Sequence, residues 1–192
     1  MYGNYFFQKN DMPFVKARFQ NVYGPREILG AGEWRGTPHT VWRNVIPTFI
    51  WKSLHNEALP LDNGGKGTRD FIFVEDVVKG LIQCALIGNP GEAYNLASGK
   101  ETSVFELAKL INSITGNTTP LDLKKARDWD RSGKRFGSTR KSKEFINFEA
   151  EVEIDEGLNK TIEWTKNNLD LIKKTMAKHQ NNLKEVTQYL KN

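Results

Sequence analysis

The sequence predicts an α/β fold, on three observations. Short runs rich in β-branched and aromatic residues alternate with longer stretches whose apolar positions recur every three or four residues, the pattern of strands and helices taken in turn. The chain has 192 residues, 38% of them hydrophobic and 11% aromatic, enough for a real core and too apolar for a disordered tail. Its one cysteine, Cys84, leaves no disulfide framework or multi-cysteine zinc site to replace that core, and fits a reducing compartment.

Residues 2–9 read as the last turns of a helix, which Pro13 forbids from continuing. Phe14–Phe19 is a strand, and Asn21–Pro25 carries turn chemistry. Residues 26–43, rich in Gly, Trp and Arg and without helical period, form a long loop of the kind that carries function. A helix starts at Asn44, with Pro47 tolerated in its first turn and Ile46, Ile50 and Leu54 on one face. Leu59–Pro60–Leu61 is short and extended, Asp62–Gly67 is a turn, and Arg69–Phe73 is a strand.

Val74 opens the clearest helix, with Val77, Val78, Leu81, Ile82, Ala85 and Leu86 at helical spacing and a stop at Gly88–Gly91. Glu92–Leu96 is a strand, and Ser103 caps a helix that buries Val104, Leu107, Ala108 and Ile111. Residues 120–142 are charged and aperiodic; Ile154, Leu158 and Ile162 restore helical spacing. From Leu169 onward apolar residues step by three and four, with His179 in one slot. That spacing suits a coiled-coil seam or a helix docked on its own domain.

The net charge of +5 and an isoelectric point near 9.2 raise nucleic acid as a partner. The surplus is local, however. Residues 124–143 hold nine basic and two acidic side chains, and the other 172 residues net −2. No apolar run approaches the roughly 18 residues that span a bilayer, and the start has no signal-peptide pattern, so a cytoplasmic protein is expected.

Three motifs mislead. Gly64-Gly65-Lys66-Gly67 lacks the Ser or Thr and the leading Gly of a phosphate loop, and reads as a hairpin turn. His39, His55 and His179 have no ligand spacing, so no metal is expected. Tyr5 and Lys9 have the spacing of a Tyr-x-x-x-Lys acid/base pair, on one helix face. Cys84 reads as a small buried hydrophobe rather than a nucleophile.

Four ordered segments carry a resemblance: ARFQNVYGP (17–25), TRDFIFVEDVVKGL (68–81), GEAYNLASGKETSVFELAKLI (91–111) and EGLNKTIEW (156–164). Together they resemble the NAD(P)-dependent epimerase/dehydratase family, the extended short-chain dehydrogenases acting on nucleotide sugars. In that family a Gly-rich dinucleotide loop opens the chain, and the catalytic Tyr-x-x-x-Lys lies further ahead of Asn21 than Tyr5 does. The resemblance therefore implies a C-terminal part of a Rossmann-type enzyme plus its smaller α/β substrate-binding domain, with no catalytic residue assigned. Residues 1–23 and 69–98 would be the remnant of the Rossmann domain, 24–68 and 99–168 the nucleotide-sugar-binding domain, and 169–192 a helical extension.

A nucleotide sugar presents a diphosphate, which suits Arg forks and amide donors. By resemblance Asn21 contacts that diphosphate, and Phe19 lies against the nicotinamide of NAD or NADP. Asn44 and Val45 offer the free N–H groups of a helix start. Leu59, Pro60 and Leu61 hold the nucleobase through main-chain groups. Arg69 reaches phosphate and ribose, with Phe71 following on its strand, and Arg131 is a second phosphate-binding arginine. The family's usual Asp is replaced by Lys134, which with Arg135 adds charge to the pocket. The implied activity is oxidation of a sugar hydroxyl, often at C4, then epimerisation or elimination, in a homodimer. A non-catalytic nucleotide-sugar-binding fragment and a basic nucleic-acid-binding protein are the alternatives.

Overall fold

The structure is a computed structural model that describes residues 2–126, 128 and 133–190. Helix α1 (Tyr2–Asn10) has no buried residue and ends before Pro13. Strand β1 (Lys16–Phe19) is followed by β2 (Asn21–Tyr23), so the predicted turn after Phe19 is a second short strand. After the 26–43 loop come α2 (Val45–Leu54) and β3 (Pro60–Leu61). A 3-10 turn over Asp62–Gly65 then leads to β4 (Thr68–Arg69) and β5 (Phe71–Phe73). Next are α3 (Val74–Ile87), β6 (Ala93–Leu96), β7 (Thr102–Ser103), α4 (Val104–Thr115) and β8 (Asp122–Leu123). Among the described residues α5 (Arg140–Ile146), α6 (Ile154–Asn167) and α7 (Leu169–Ala177) follow, before a 3-10 segment over Lys184–Leu190.

The strands pair as β1–β6, β2–β5 and β3–β8, all parallel, and β4–β7, antiparallel. This pairing corrects two expectations. Gly64–Gly67 does not close a hairpin, because its flanking strands β3 and β4 pair with β8 and β7. The predicted Arg69–Phe73 strand is divided at Asp70, whose fully buried carboxylate takes backbone N–H bonds from Ser98 (2.8 Å), Gly99 (3.0 Å) and Gly137 (3.2 Å), and the Ser98 hydroxyl (2.7 Å). Those bonds fix Asp70 between the two strand pairs.

Local signals explain most boundaries. Ser103 and Glu106 form a capping box at α4, and Gly116 ends that helix in the left-handed region. One core lies between α2, α4, α6 and the β2–β5 pair: Phe49, Ile50, Phe73, Leu107, Ile111, Leu158 and Ile162 are buried there. Full burial of each such side chain stabilises by about 1.5–3 kcal/mol. A second core joins α3 and α5 to the β1–β6 pair through Val77, Cys84, Tyr94, Leu96, Ile146 and Phe148. Gly80 permits this contact, since a Cβ there would lie 2.7 Å from the Leu96 side chain. Only part of the predicted apolar stripe faces that way: Val78, Leu81, Ile82 and Leu86 are exposed.

The C-terminal segment docks on its own chain. Ile172, Met176, Leu183, Val186 and Tyr189 pack with Leu29, Val41 and Trp51 in a third core. It is not one seam-forming helix, because α7 ends at Ala177 and the chain turns before the 3-10 segment.

Candidate functional site

The site begins where a parallel strand ends. β1 stops at Phe19, which is half-exposed, and the backbone N–H of Asn21 donates to Asp70 O at 3.0 Å. The Asn21 side chain is left at the rim of a cleft of about 930 Å³. Clefts beyond the carboxyl ends of parallel strands are where open α/β sheets bind ligands.

Helix α2 points its start at this cleft. Asn44 is its N-cap, yet its side chain makes no capping bond; the amide instead donates to the Glu27 carboxylate. The first-turn N–H groups of Val45 and Ile46 therefore have no side-chain cap, and Pro47 has no N–H to satisfy. Unpaired donors and the positive end of the helix dipole favour an anion there. Burial pushes the Glu27 carboxyl above its usual range, opposed by the Asn44 hydrogen bond and the Arg43 charge.

The opposite wall is built from β4. Arg69 Nη1 donates to Thr68 O (2.7 Å) and Gly133 O (3.4 Å), and Thr68 N donates to Gly133 O (3.2 Å). These bonds lay residues 133–137 beside Arg69 and bring Lys134 to the cleft. Among the described residues Arg43, Lys52, Lys66, Arg69, Lys124 and Lys134 border it against four carboxylates, Glu27, Asp62, Asp122 and Glu185. The balance favours an anionic ligand.

Of the residues singled out in the sequence, Asn21, Asn44, Val45, Pro60, Arg69, Phe71 and Lys134 meet in this one cleft. Phe19 lies at the adjoining strand end. Leu59 and Leu61 send their side chains into the core, and their carbonyls accept the N–H groups of Asp122 (3.0 Å) and Lys124 (2.9 Å). Arg131 lies outside the described residues. Arg135 is exposed and does not line the cleft.

Sequence reasoning missed Glu27, Trp42, Thr48, Lys52, Lys66 and Glu185. Helical spacing could have found two of them, since Asn44, Thr48 and Lys52 follow at i, i+4 and i+8. Nothing in the sequence pointed to Glu185, which reaches the cleft only because the C-terminal segment folds back.

The model of the NAD dependent epimerase/dehydratase family matches residues 2–97. The chain belongs to that family. Human dTDP-D-glucose 4,6-dehydratase is 31% identical over 168 residues, covering 85% of this chain and 44% of that protein. UDP-glucuronic acid decarboxylase 1 of Xenopus tropicalis is 31% identical over 155 residues, covering 80% of this chain and 34% of that one. The chain thus spans less than half the length of these curated relatives.

Among solved structures, the enzyme WbmF of Bordetella bronchiseptica, in complex with NAD+ and UDP, superposes with a TM-score of 0.87 at 59% identity. That match covers 96% of this chain and 54% of WbmF, so it takes in most of the C-terminal segment beyond the sequence resemblance. UDP-glucose 4-epimerase of Thermotoga maritima, with UDP-glucose, gives a TM-score of 0.77 at 30% identity over 88% of this chain and 51% of that one.

Proposed function

We propose that this chain is the nucleotide-sugar-binding part of an NAD(P)-dependent nucleotide-sugar epimerase or dehydratase. One observation carries the reading: Asn21, the uncapped start of α2 at Asn44–Val45, Arg69 and Lys134 converge on a single cleft from four separate stretches of sequence. Amide donors, a helix N-terminus and cations around one cleft are what a diphosphate requires. Leu59–Leu61 and Arg131 belong to the same reading, as main-chain nucleobase contacts and a second phosphate arginine.

The residues present also fit one end of a dinucleotide. Phe19 offers a half-exposed aromatic ring at the C-terminal end of β1, beside the Asn21 amide. NAD or NADP supplies, when bound, the reversible uptake of hydride from a sugar carbon. Phe19 would lie against its nicotinamide, while Asn21 and the start of α2 hold the substrate's diphosphate and so orient the sugar. No residue of this chain is assigned the proton transfer. The same reading includes a cytoplasmic homodimer and no metal. Among the described residues no group of three or more His, Cys, Asp or Glu is placed to hold a metal ion, and no helix is long and apolar enough to cross a membrane.

Titration calorimetry and thermal shift with UDP and with UDP-, dTDP-, GDP- and CDP-sugars test the reading. Saturable binding of at least one, with a raised melting temperature, is expected. No response to any of them, together with binding to random-sequence DNA that falls steeply with salt, would favour the nucleic-acid alternative.

A further inference from the structure

Five threonines lie within the described α-helices, and four share one habit. The hydroxyls of Thr115, Thr161, Thr165 and Thr175 each donate to the carbonyl four residues earlier, at 2.9, 2.6, 2.8 and 3.2 Å. Such a bond to the preceding turn satisfies a helical hydroxyl locally; Thr115 and Thr175 have partners outside their helices as well, Ser53 Oγ and Leu29 O. Thr48, in α2, breaks the pattern. It is 7% exposed, its Oγ1 has no hydrogen-bond partner among the described residues, and the residue lines the cleft. A buried hydroxyl with no partner costs stability, so one in a native site calls for an explanation.

Its surroundings supply one. Thr48 stands one helical turn, about 6 Å, beyond the uncapped α2 start at Asn44. One turn further on the same face is Lys52, whose side chain is 19% exposed. Lys52 Nζ is 3.0 Å from Glu57 Oε2 and 4.9 Å from the centre of the Trp42 ring. The Trp42 indole N–H in turn donates to Glu185 of the C-terminal segment. An ammonium seated in this way loses less conformational freedom when a ligand arrives.

We propose that Thr48 and Lys52 are ligand-binding residues, forming with Asn44 a polar stripe along α2 that engages a nucleoside diphosphate. The Thr48 hydroxyl donates to a phosphate oxygen held at the helix start, and the Lys52 ammonium adds a charge-assisted bond to the same ligand. Trp42 and Glu185 act as positioning residues for Lys52. The inference rests on the nucleotide-sugar reading of the cleft and adds contacts to it.

The test is calorimetric titration of the whole chain with UDP, alongside ligand-free melting temperatures. Thr48→Val keeps the shape and removes only the hydroxyl. It should leave the ligand-free melting temperature unchanged or raised, yet weaken UDP binding about 5- to 10-fold, whereas Thr48→Ser should bind within about twofold of the unaltered chain. Lys52→Met, which keeps the packing on Trp42, should weaken binding about 10-fold and flatten its salt dependence. If Thr48→Val binds UDP as tightly as the unaltered chain does, the inference is overturned while the cleft reading stands. A lower melting temperature for Thr48→Val, restored by Thr48→Ser, would also overturn it by revealing a structural role for the hydroxyl. If the unaltered chain does not bind UDP, the cleft reading itself fails and takes this inference with it.

Discussion

The Asp70 carboxylate accepts the backbone N–H of Gly137 at 3.2 Å, joining residues 67 positions apart. The same side chain holds Ser98 and Gly99, so one buried anion ties the β4–β5 junction to the loop after β6 and to the chain that carries Lys134. Asp70→Asn puts an amide N–H against these donors. Hydrogen bonds to a charged group contribute about 1.5–3 kcal/mol each, so a loss of about 3 kcal/mol in unfolding free energy is expected from urea titration. Loss of under about 1 kcal/mol would show that Asp70 is not the tie described.

The two cations paired in the sequence reading separate in space. Lys134 lines the cleft; Arg135, also exposed, does not. Lys134→Ala should weaken UDP binding about 3-fold and reduce its dependence on salt, while Arg135→Ala should leave both unchanged. Equal effects from the two variants would mean that the charge acts as a general field rather than through a cleft contact.

Glu27 gives the cleft a pH dependence. Burial holds its carboxyl above the usual range, with the Asn44 bond and Arg43 pulling the other way. For a folded-state value raised in this sense, the favourable contribution is complete at low pH and is lost as pH rises through the raised value. Ionised Glu27 thus opposes folding at neutral pH. Glu27→Gln retains an acceptor for Asn44 and removes that penalty. Its melting temperature should exceed the parent's near pH 7, with the gap closing as pH falls below the ordinary carboxylate range. A gap that widens on acidification would contradict this sign.

What was legible in the sequence divides along physical lines. The start of α4 could be read because Ser103 and Glu106 form a purely local device. The cleft residues Asn21 and Arg69 were legible through motif order, and Asn44 as the start of a helix whose first N–H groups suit an anion. The outward face of α3 was not legible, since apolar spacing fixes the helix but not how much of it is covered, and Leu86 is 77% exposed. Helix α5 was hidden in a charged run, where Ile146 is its only fully buried apolar side chain. Strand splitting at Asp70 and the approach of Glu185 both depend on distant contacts, which no window of sequence contains.

Gly30 gives the sharpest test of how the C-terminal segment is held. Its φ of +69° lies in the left-handed region, and a Cβ there would meet Met176 Cα at 3.0 Å and His179 Cδ2 at 3.2 Å. The Gly30 carbonyl also lies 2.9 Å from the buried His179 Nε2, and Thr175 Oγ1 donates to Leu29 O at 2.9 Å. Gly30→Ala therefore adds backbone strain of about 1–2 kcal/mol and forces α7 outward against the core of Trp51, Met176 and Tyr189. A total loss of about 2–3 kcal/mol is expected, with faster proteolysis in the turn between Ala177 and Lys184. Because Trp42 is packed against that core and bonded to Glu185, its fluorescence should shift as well. An alanine variant with unchanged stability and unchanged cleavage would show that the loop and the C-terminal segment are not locked at Gly30.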